Sequence, residues 1–354
     1  MGEPQESDRP ADQPYRGRRR RADDHEGSGV VDEAMVAVDT TPTGRHSRLE
    51  LEQMLAEADA RDAAAATAAD QVDPAAPEAP AAPAPGRAGR NLPAAIGVGL
   101  ALAAAVIASL AFRREAFVAI VVAAVLYGTW ELRQAMRHGG IALPLAPLAV
   151  GGAAMQLVAW DRGGDGLVIA LLLCAVAVAV WRTADGDDPP GSYARDAGAG
   201  ILVALYLPFL AGFAVLLARP DDGAARVIAF IAAVVCSDVG GYAVGVLIGR
   251  HPMAPLVSPK KSWEGFAGSA ATGAIAGALI FALTFHVEWW KGALFGLAIV
   301  VTATIGDLGE SMLKRDLGIK DMGRLLPGHG GLMDRLDSLL PSAAVAYLLL
   351  SAFA

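Results

Sequence analysis

From position 93 to the C-terminus the chain alternates long apolar stretches with short polar turns. The stretches fall at 93–112, 116–134, 143–160, 166–182, 197–217, 226–249, 265–286, 289–309 and 338–354. Each approaches the ~20 residues a helix needs to cross the hydrocarbon core of a bilayer. Backbone polar groups cannot stay unpaired in hydrocarbon, so stretches of this kind must be helical. The pattern predicts an all-α, polytopic helical membrane protein with about nine transmembrane helices. The last stretch is short and carries Pro341. Within this pattern Gly241, Gly245 and Gly249 repeat at four-residue spacing, and Gly273 with Gly277 forms a second pair. Such ladders let helices approach closely. They also make a homodimer plausible without placing its interface.

Residues 1–90 follow a different rule. Their only aromatic is Tyr15, and Ala, Pro, Asp and Glu dominate. That composition cannot bury enough surface to offset chain entropy, so a disordered cytosolic tail is expected. Pro74 to Pro85 reads as an Ala/Pro linker. The Arg48–Asp70 window, with Leu49, Leu51, Met54 and Leu55, is a candidate transient helix. Arg18 to Arg21 reads as a solvated cluster among acids rather than a lipid-headgroup site. The first apolar run begins near Leu92, so no signal peptide is expected. The division is thus a tail over 1–90 and a membrane domain over 91–354.

Charge sharpens this division. The tail holds 18 acids against 11 Arg, while the remainder holds 19 acids and 18 bases, so −7 of the net charge of −8 belongs to the tail. No nucleic-acid partner is expected. A 54% hydrophobic content and a mean hydropathy of +0.41 agree with a membrane domain. Cys174 and Cys236 sit in apolar runs without metal-ligand spacing and read as packing residues. With the N-terminus in the cytosol, twelve Lys or Arg fall in cytosolic connections and six in opposite ones, which favours that orientation. Arg113 and Arg114 are the awkward pair on the outer side.

Three places carry charge where a membrane protein has little reason to keep it. Asp238 follows the apolar run VIAFIAAVVCS and shares a helix face with Tyr242, beside Gly241 and Gly245. The alternative is a structural acid bonded to a neighbouring helix. Ser258-Pro259-Lys260-Lys261-Ser262-Trp263-Glu264-Gly265 opens the next helix. Adjacent lysines with flanking hydroxyls at a helix start suit phosphate binding, although two lysines alone also suit an ordinary cytosolic loop. The third place runs from Gly306 to Ser338. Asp307, Glu310, Ser311 and Lys314 recur on one helical face, which predicts that this helix extends into the cytosol. Arg315, Lys320 and Asp321 follow. Pro327-Gly328-His329-Gly330-Gly331 must break the helix, and its glycines allow close approach of backbone to a ligand. Asp334, Arg335 and Asp337 then enter the last span.

Carboxylates from two helices facing several cations suit a hard divalent metal and a polyphosphate. This requires Asp307 to meet the Asp334/Asp337 pair in space. A salt-bridged cytosolic hairpin is the alternative. No Walker A or Gly-rich kinase loop occurs, which speaks against a P-loop mode of nucleotide binding. His329 is a candidate base, but a positioning or phosphate-contact role fits it equally.

The stretch SMLKRDLGIKDMGRLLPGHGGLMDRLD resembles the signature of the phosphatidate cytidylyltransferase (CDP-diacylglycerol synthase) family. Ser311, Lys314, Arg315, Lys320, Asp321, His329, Gly330, Gly331, Asp334, Arg335 and Asp337 all match that pattern. Cys236-Ser237-Asp238 and the Ser258–Gly265 loop resemble further family motifs. Similarity spans roughly 93–354 and leaves the tail unexplained. The resemblance implies that CTP and phosphatidic acid condense to CDP-diacylglycerol and pyrophosphate, a step of phospholipid biosynthesis. It implies Mg²⁺, with K⁺ as a candidate second cation, and nominates Asp307 and Asp334 as metal ligands. Lys260, Lys261, Lys314, Arg315, Lys320 and Arg335 would neutralise phosphates. Asp238, Glu264, Asp321 and Asp337 would support the metal or contact cytidine. It further implies a bacterial inner-membrane protein among membrane lipids, with its site on the cytosolic side. The alternatives are another CTP-dependent lipid enzyme of lipid-kinase type and, from a different class, an ion-coupled transporter. Clustered cytosolic bases and the HGG turn would serve no purpose in a transporter.

Overall fold

The computed structural model describes residues 92–184, 192–323 and 330–354. The N-terminal tail, the Arg48–Asp70 window, Arg324, Pro327, Gly328 and His329 lie outside the described residues. The helices are α1 (Leu92–Phe112), α2 (Arg114–His138), α3 (Leu145–Ala184), α4 (Ser192–Ala204), α5 (Leu210–Ala218), α6 (Gly223–Ile248), α7 (Trp263–Ile280), α8 (Trp289–Asp316), α9 (Met333–Leu336) and α10 (Leu339–Phe353). A two-stranded antiparallel hairpin, β1 (Pro252–Ala254) with β2 (Ser258–Ser262), separates α6 from α7.

Among the described residues, seven helical segments are long and apolar enough to cross a membrane, and Gly99–Phe112 adds a shorter apolar one. The sequence pattern predicts about nine. Part of the difference lies in α3, a single 40-residue stretch covering two of the predicted spans. Cys174 Sγ lies 3.7 Å from the Pro147 carbonyl oxygen. A straight helix would hold those residues about 40 Å apart. The chain therefore doubles back on itself at Gly163, whose φ of 75° is open to glycine and strained for other residues. Arg219 closes the break by donating to the Trp160 and Asp161 carbonyls at 3.0 and 3.1 Å.

One segment passes through a local irregularity instead of a break. Pro208 cannot donate to the helical ladder, and α4 continues into α5 through a π turn at Leu205–Phe209. The fully buried Gln156 donates to the Pro208 carbonyl at 2.7 Å and so supplies a partner where the ladder is disturbed.

Connections segregate to two ends of the bundle. At one end Arg114 donates to the Arg219 carbonyl at 3.1 Å and Arg226 to that of Leu350 at 3.2 Å. Arg113 and Arg114, awkward in sequence, thus belong to an end where arginines cap helix C-termini. At the other end Arg195 reaches the Gly140 carbonyl at 2.8 Å, and Leu317 packs against Gly139. Arg182 is buried there in a 3.2 Å ion pair with Asp196. The helix α8 stops at this end in a Schellman motif. Ile319 N–H bonds to the Lys314 carbonyl at 2.9 Å and Gly318 N–H to that of Arg315 at 3.1 Å, with Gly318 at φ 66°.

The helices α6, α7 and α8 pack through glycine. Gly241 lies against Ser269 and Gly265, and Gly245 faces the Gly265 Cα, so the predicted ladder is a helix–helix contact. The second pair does the same. Gly273 and Gly277 meet Gly296 and Gly292 of α8, a matching four-residue pair that sequence reading passed over. A Cβ on Gly277 would strike the Gly292 carbonyl, which as backbone cannot give way. We therefore expect Gly277→Leu to cost about 3 kcal/mol or more and to lower the thermal unfolding midpoint in detergent. Gly164→Ala, with open space around it, should leave the midpoint in place. Equal midpoints for both would refute this packing.

Candidate functional site

A cavity of about 430 Å³ opens between α6, the hairpin with the start of α7, and α8. Each wall contributes what the sequence singled out: Asp238 and Tyr242 from α6, Lys260, Lys261 and Ser262 from β2, and Asp307 from α8. Lys261 Nζ and Asp307 Oδ2 are 2.5 Å apart, which ties the hairpin to α8. Asp238 feels Asp307 as a like charge and Lys261 and Arg335 as opposite ones. The cavity thus sets two acids from two helices against the two lysines of the hairpin.

Two predicted ligands have local duties here. Ser262 caps α7 by accepting the Gly265 N–H at 3.1 Å. Glu264 accepts the Arg250 and His251 amides at 3.1 and 3.2 Å, and its other oxygen meets His251 Nδ1 at 2.5 Å. Glu264 therefore clamps the α6–β1 junction and does not line the cavity. Ser258 begins β2, and Lys260 is exposed at the cavity wall.

A second cluster lies between the end of α8 and α9. Lys314 Nζ bridges Glu310 Oε2 at 3.3 Å and Asp334 Oδ1 at 2.8 Å. The other Asp334 oxygen accepts the Met322 and Gly331 amides at 3.1 and 2.8 Å. Asp334 therefore fastens the two described ends of the signature segment to each other and to α8. Asp337, one helical turn later, is the carboxyl that reaches Asp307 and also Glu310. Gly306 makes this possible, because a side chain there would meet the Asp337 carbonyl and Pro341. The required meeting of Asp307 with the last segment thus occurs through Asp337.

Lys320 and Asp321 line a different cavity, of about 390 Å³, together with Gln134 and His138 of α2. Asp321 still approaches the Lys314–Asp334 cluster through Gly330, which at φ 83° sits over the Asp334 carboxylate. Arg315 and Arg335 are exposed. Glu131 of α2 was overlooked: it is 1% exposed, and Oε2 accepts the Met333 N–H at 2.7 Å. An acid inside an otherwise apolar span was the available signal.

Among the described residues no three or more His, Cys, Asp or Glu side chains form a metal-ligand set. Mg²⁺ bound with a polyphosphate asks for less, since one or two carboxylates suffice beside phosphate oxygens and water. Asp238 and Asp307, open to a cavity that also presents lysines, fit that requirement. Asp334 fits it less directly, because both its oxygens already have partners.

The family model described as the Cytidylyltransferase family matches residues 93–353. The chain belongs to this family. Its relatives include phosphatidate cytidylyltransferases of Mycobacterium bovis, 47% identical over 277 residues, and Mycobacterium leprae, 45% identical over 278 residues. Those alignments cover 75% of this chain and 90% and 89% of the respective relatives. A phosphatidate cytidylyltransferase of Brucella suis is 40% identical over 151 residues, 41% of this chain and 56% of its own. All the site residues named above lie within the span of the family match, and the tail lies outside it.

The Lys314 bridge yields a prediction for this family member. Glu310 and Asp334 side chains are 1% and 8% exposed, and Lys314 Nζ is the cation beside both. Lys314→Met should cost about 3–5 kcal/mol, because it strands two buried acids. Adding Glu310→Gln should recover part of the loss in thermal unfolding measurements. An unchanged midpoint in the single variant would mean that these acids do not need the ammonium.

Proposed function

We propose that this chain transfers a cytidylyl group from CTP to phosphatidic acid, releasing pyrophosphate and giving CDP-diacylglycerol. The observation that carries the reading is the cavity where Asp238 and Asp307 face Lys260 and Lys261 within a multi-pass membrane fold. The names of the relatives supply the substrates to which this chemistry is assigned.

A phosphate oxygen of the lipid attacks the α-phosphorus of CTP, and the bond to the β-phosphate oxygen breaks as pyrophosphate leaves. The lipid phosphate is already an anion, so no strong general base is required. Negative charge grows on the leaving oxygens, and fixed positive groups aimed there lower the barrier. Lys260 and Lys261 supply those groups from the hairpin. Lys261 is held by Asp307 and so arrives in place without reorganisation. Arg315, Lys320 and Arg335 extend the positive surface along the signature segment, while Lys314 holds Glu310 and Asp334. Asp307 and Asp238 would hold Mg²⁺, with Asp337 behind Asp307 and Asp334 fixing the signature segment to the end of α8. When bound, the ion supplies Lewis-acid neutralisation of the phosphate oxygens. The twelve basic residues that the sequence assigns to cytosolic connections favour a site on the cytosolic side, where CTP is available.

The deciding assay measures conversion of labelled CTP and phosphatidic acid into CDP-diacylglycerol by purified protein, with and without Mg²⁺. Folded wild-type protein that forms no product would overturn the reading. Asp307→Asn should reduce turnover by about 10³-fold or more while the protein still inserts and folds. Asp334→Asn should reduce it by about 10²-fold, through misplacement of the segment it ties. Near-normal turnover in either variant would remove that residue from the site. Deletion of residues 1–85, outside the family match, should leave turnover largely intact.

A further inference from the structure

We propose that Glu131 is a positioning residue, which fixes the Gly331–Met333 turn from α2 and thereby aims Asp334 and Lys314. This rests on the transferase reading above. The helix α2 contributes nothing to the Asp238–Asp307 cavity, yet it buries a carboxylate at the signature's edge.

The environment of Glu131 narrows its role. The groups that bear on it electrostatically include Asp334 and Glu310, both acids, so like charge surrounds it. What favours the carboxylate is backbone: the Met333 amide at 2.7 Å, with the Leu332 amide beside it. A buried carboxylate is tolerable only where hydrogen bonds replace its hydration. Gly323 and Gly331, on the two sides of the segment, both lie against Oε1 closely enough that a Cβ on either would collide with it. A Cβ on Gly331 would also strike the Gly323 amide nitrogen, so the segment's own backbone and Glu131 both press on that position. Gly331 N–H in turn donates to Asp334 at 2.8 Å, and Asp334 receives Lys314 at the same distance. The chain of contacts runs from α2 through backbone amides to Asp334 and on to α8. Glu131 itself lines neither cavity, although Gly323 beside it lines the second, and its contacts reach α8 through Asp334.

The test uses the full-length protein in detergent or nanodiscs. Glu131→Ala should lower kcat about tenfold or more while KM for CTP stays within about twofold. Glu131→Gln keeps a side-chain carbonyl for the Met333 amide and should hold kcat within about threefold of wild type. Hydrogen exchange of peptides spanning 330–336 should accelerate in the Ala variant and stay near wild type in the Gln variant. Gly331→Ala should also lower kcat, and the double variant Glu131→Ala with Gly331→Ala should lose less than the product of the two single effects. Wild-type kcat in Glu131→Ala, equal losses in the Ala and Gln variants, or unchanged exchange would each overturn the proposal. Should the Ala variant not fold, the Gln variant and Gly331→Ala still decide it. Inactive wild-type protein would instead count against the transferase reading, and the exchange comparison would still decide whether Glu131 holds the turn.

Discussion

Apolar surface gains little inside a bilayer by leaving lipid for another helix, so helices are held by close van der Waals contact and by polar pairs. In this chain the closest contacts are made by backbone against backbone. Gly241 and Gly245 of α6 meet Gly265 of α7, while Gly273 and Gly277 of α7 meet Gly296 and Gly292 of α8. The helix α7 is therefore a spacer of minimal thickness, gripped on two sides. It sets how far apart α6 and α8 stand, and so how far Asp238 stands from Asp307 across the cavity. A bulkier α7 would widen that gap and leave two acids in lipid without a common ligand.

Charge then decides what can occupy the space. Burying carboxylates is costly unless cations or amides accompany them. The fold answers differently for each one. Asp307 has Lys261, Asp334 and Glu310 share Lys314, and Glu131 has backbone amides. Asp337 is placed against two other acids. That arrangement is comfortable only if a proton or a cation lies among them, since neighbouring carboxylates resist joint ionisation. The acids around Asp307 thus leave a place for a proton or a cation, while Lys260, exposed at the cavity wall, can meet an anion. Under the proposed function, a metal–triphosphate pair would meet both at once.

Much of this was legible in the sequence, because membrane insertion imposes strong patterns. The apolar spans, the Gly241 ladder and the candidacy of Asp238, Lys260, Lys261 and Asp307 were all readable from apolar runs and motif chemistry. The hairpin inside α3 was anticipated as two separate spans, since Arg162-Gly163-Gly164-Asp165 interrupts the apolar run. What sequence could not supply was pairing in space. Asp334 and Asp337 differ by one helical turn, and either could have faced Asp307. The choice depends on Gly306, where the missing side chain lets the last segment settle against α8. Glu264 shows the converse limit. Its place beside two lysines suggested a ligand, but its hydrogen-bond partners are the amides of a junction formed only once β1 folds back.

Glu131 was overlooked for an instructive reason: it sits in WELRQAMRH, where nearby bases make an acid look like part of an ordinary solvated helix end. Folding removes those bases from its company. Arg133 donates to the Leu143 carbonyl at 3.3 Å, and His138 contacts the Gln134 carbonyl at 3.0 Å. Glu131 is left pointing inward at backbone, beneath a segment whose two glycines fit around it. An acid that keeps a buried position while its sequence neighbours turn away toward carbonyls has been assigned a partner by tertiary structure alone. The partner here is the turn that carries Asp334, which makes α2 part of the site's framework although it contributes nothing to the Asp238–Asp307 cavity wall.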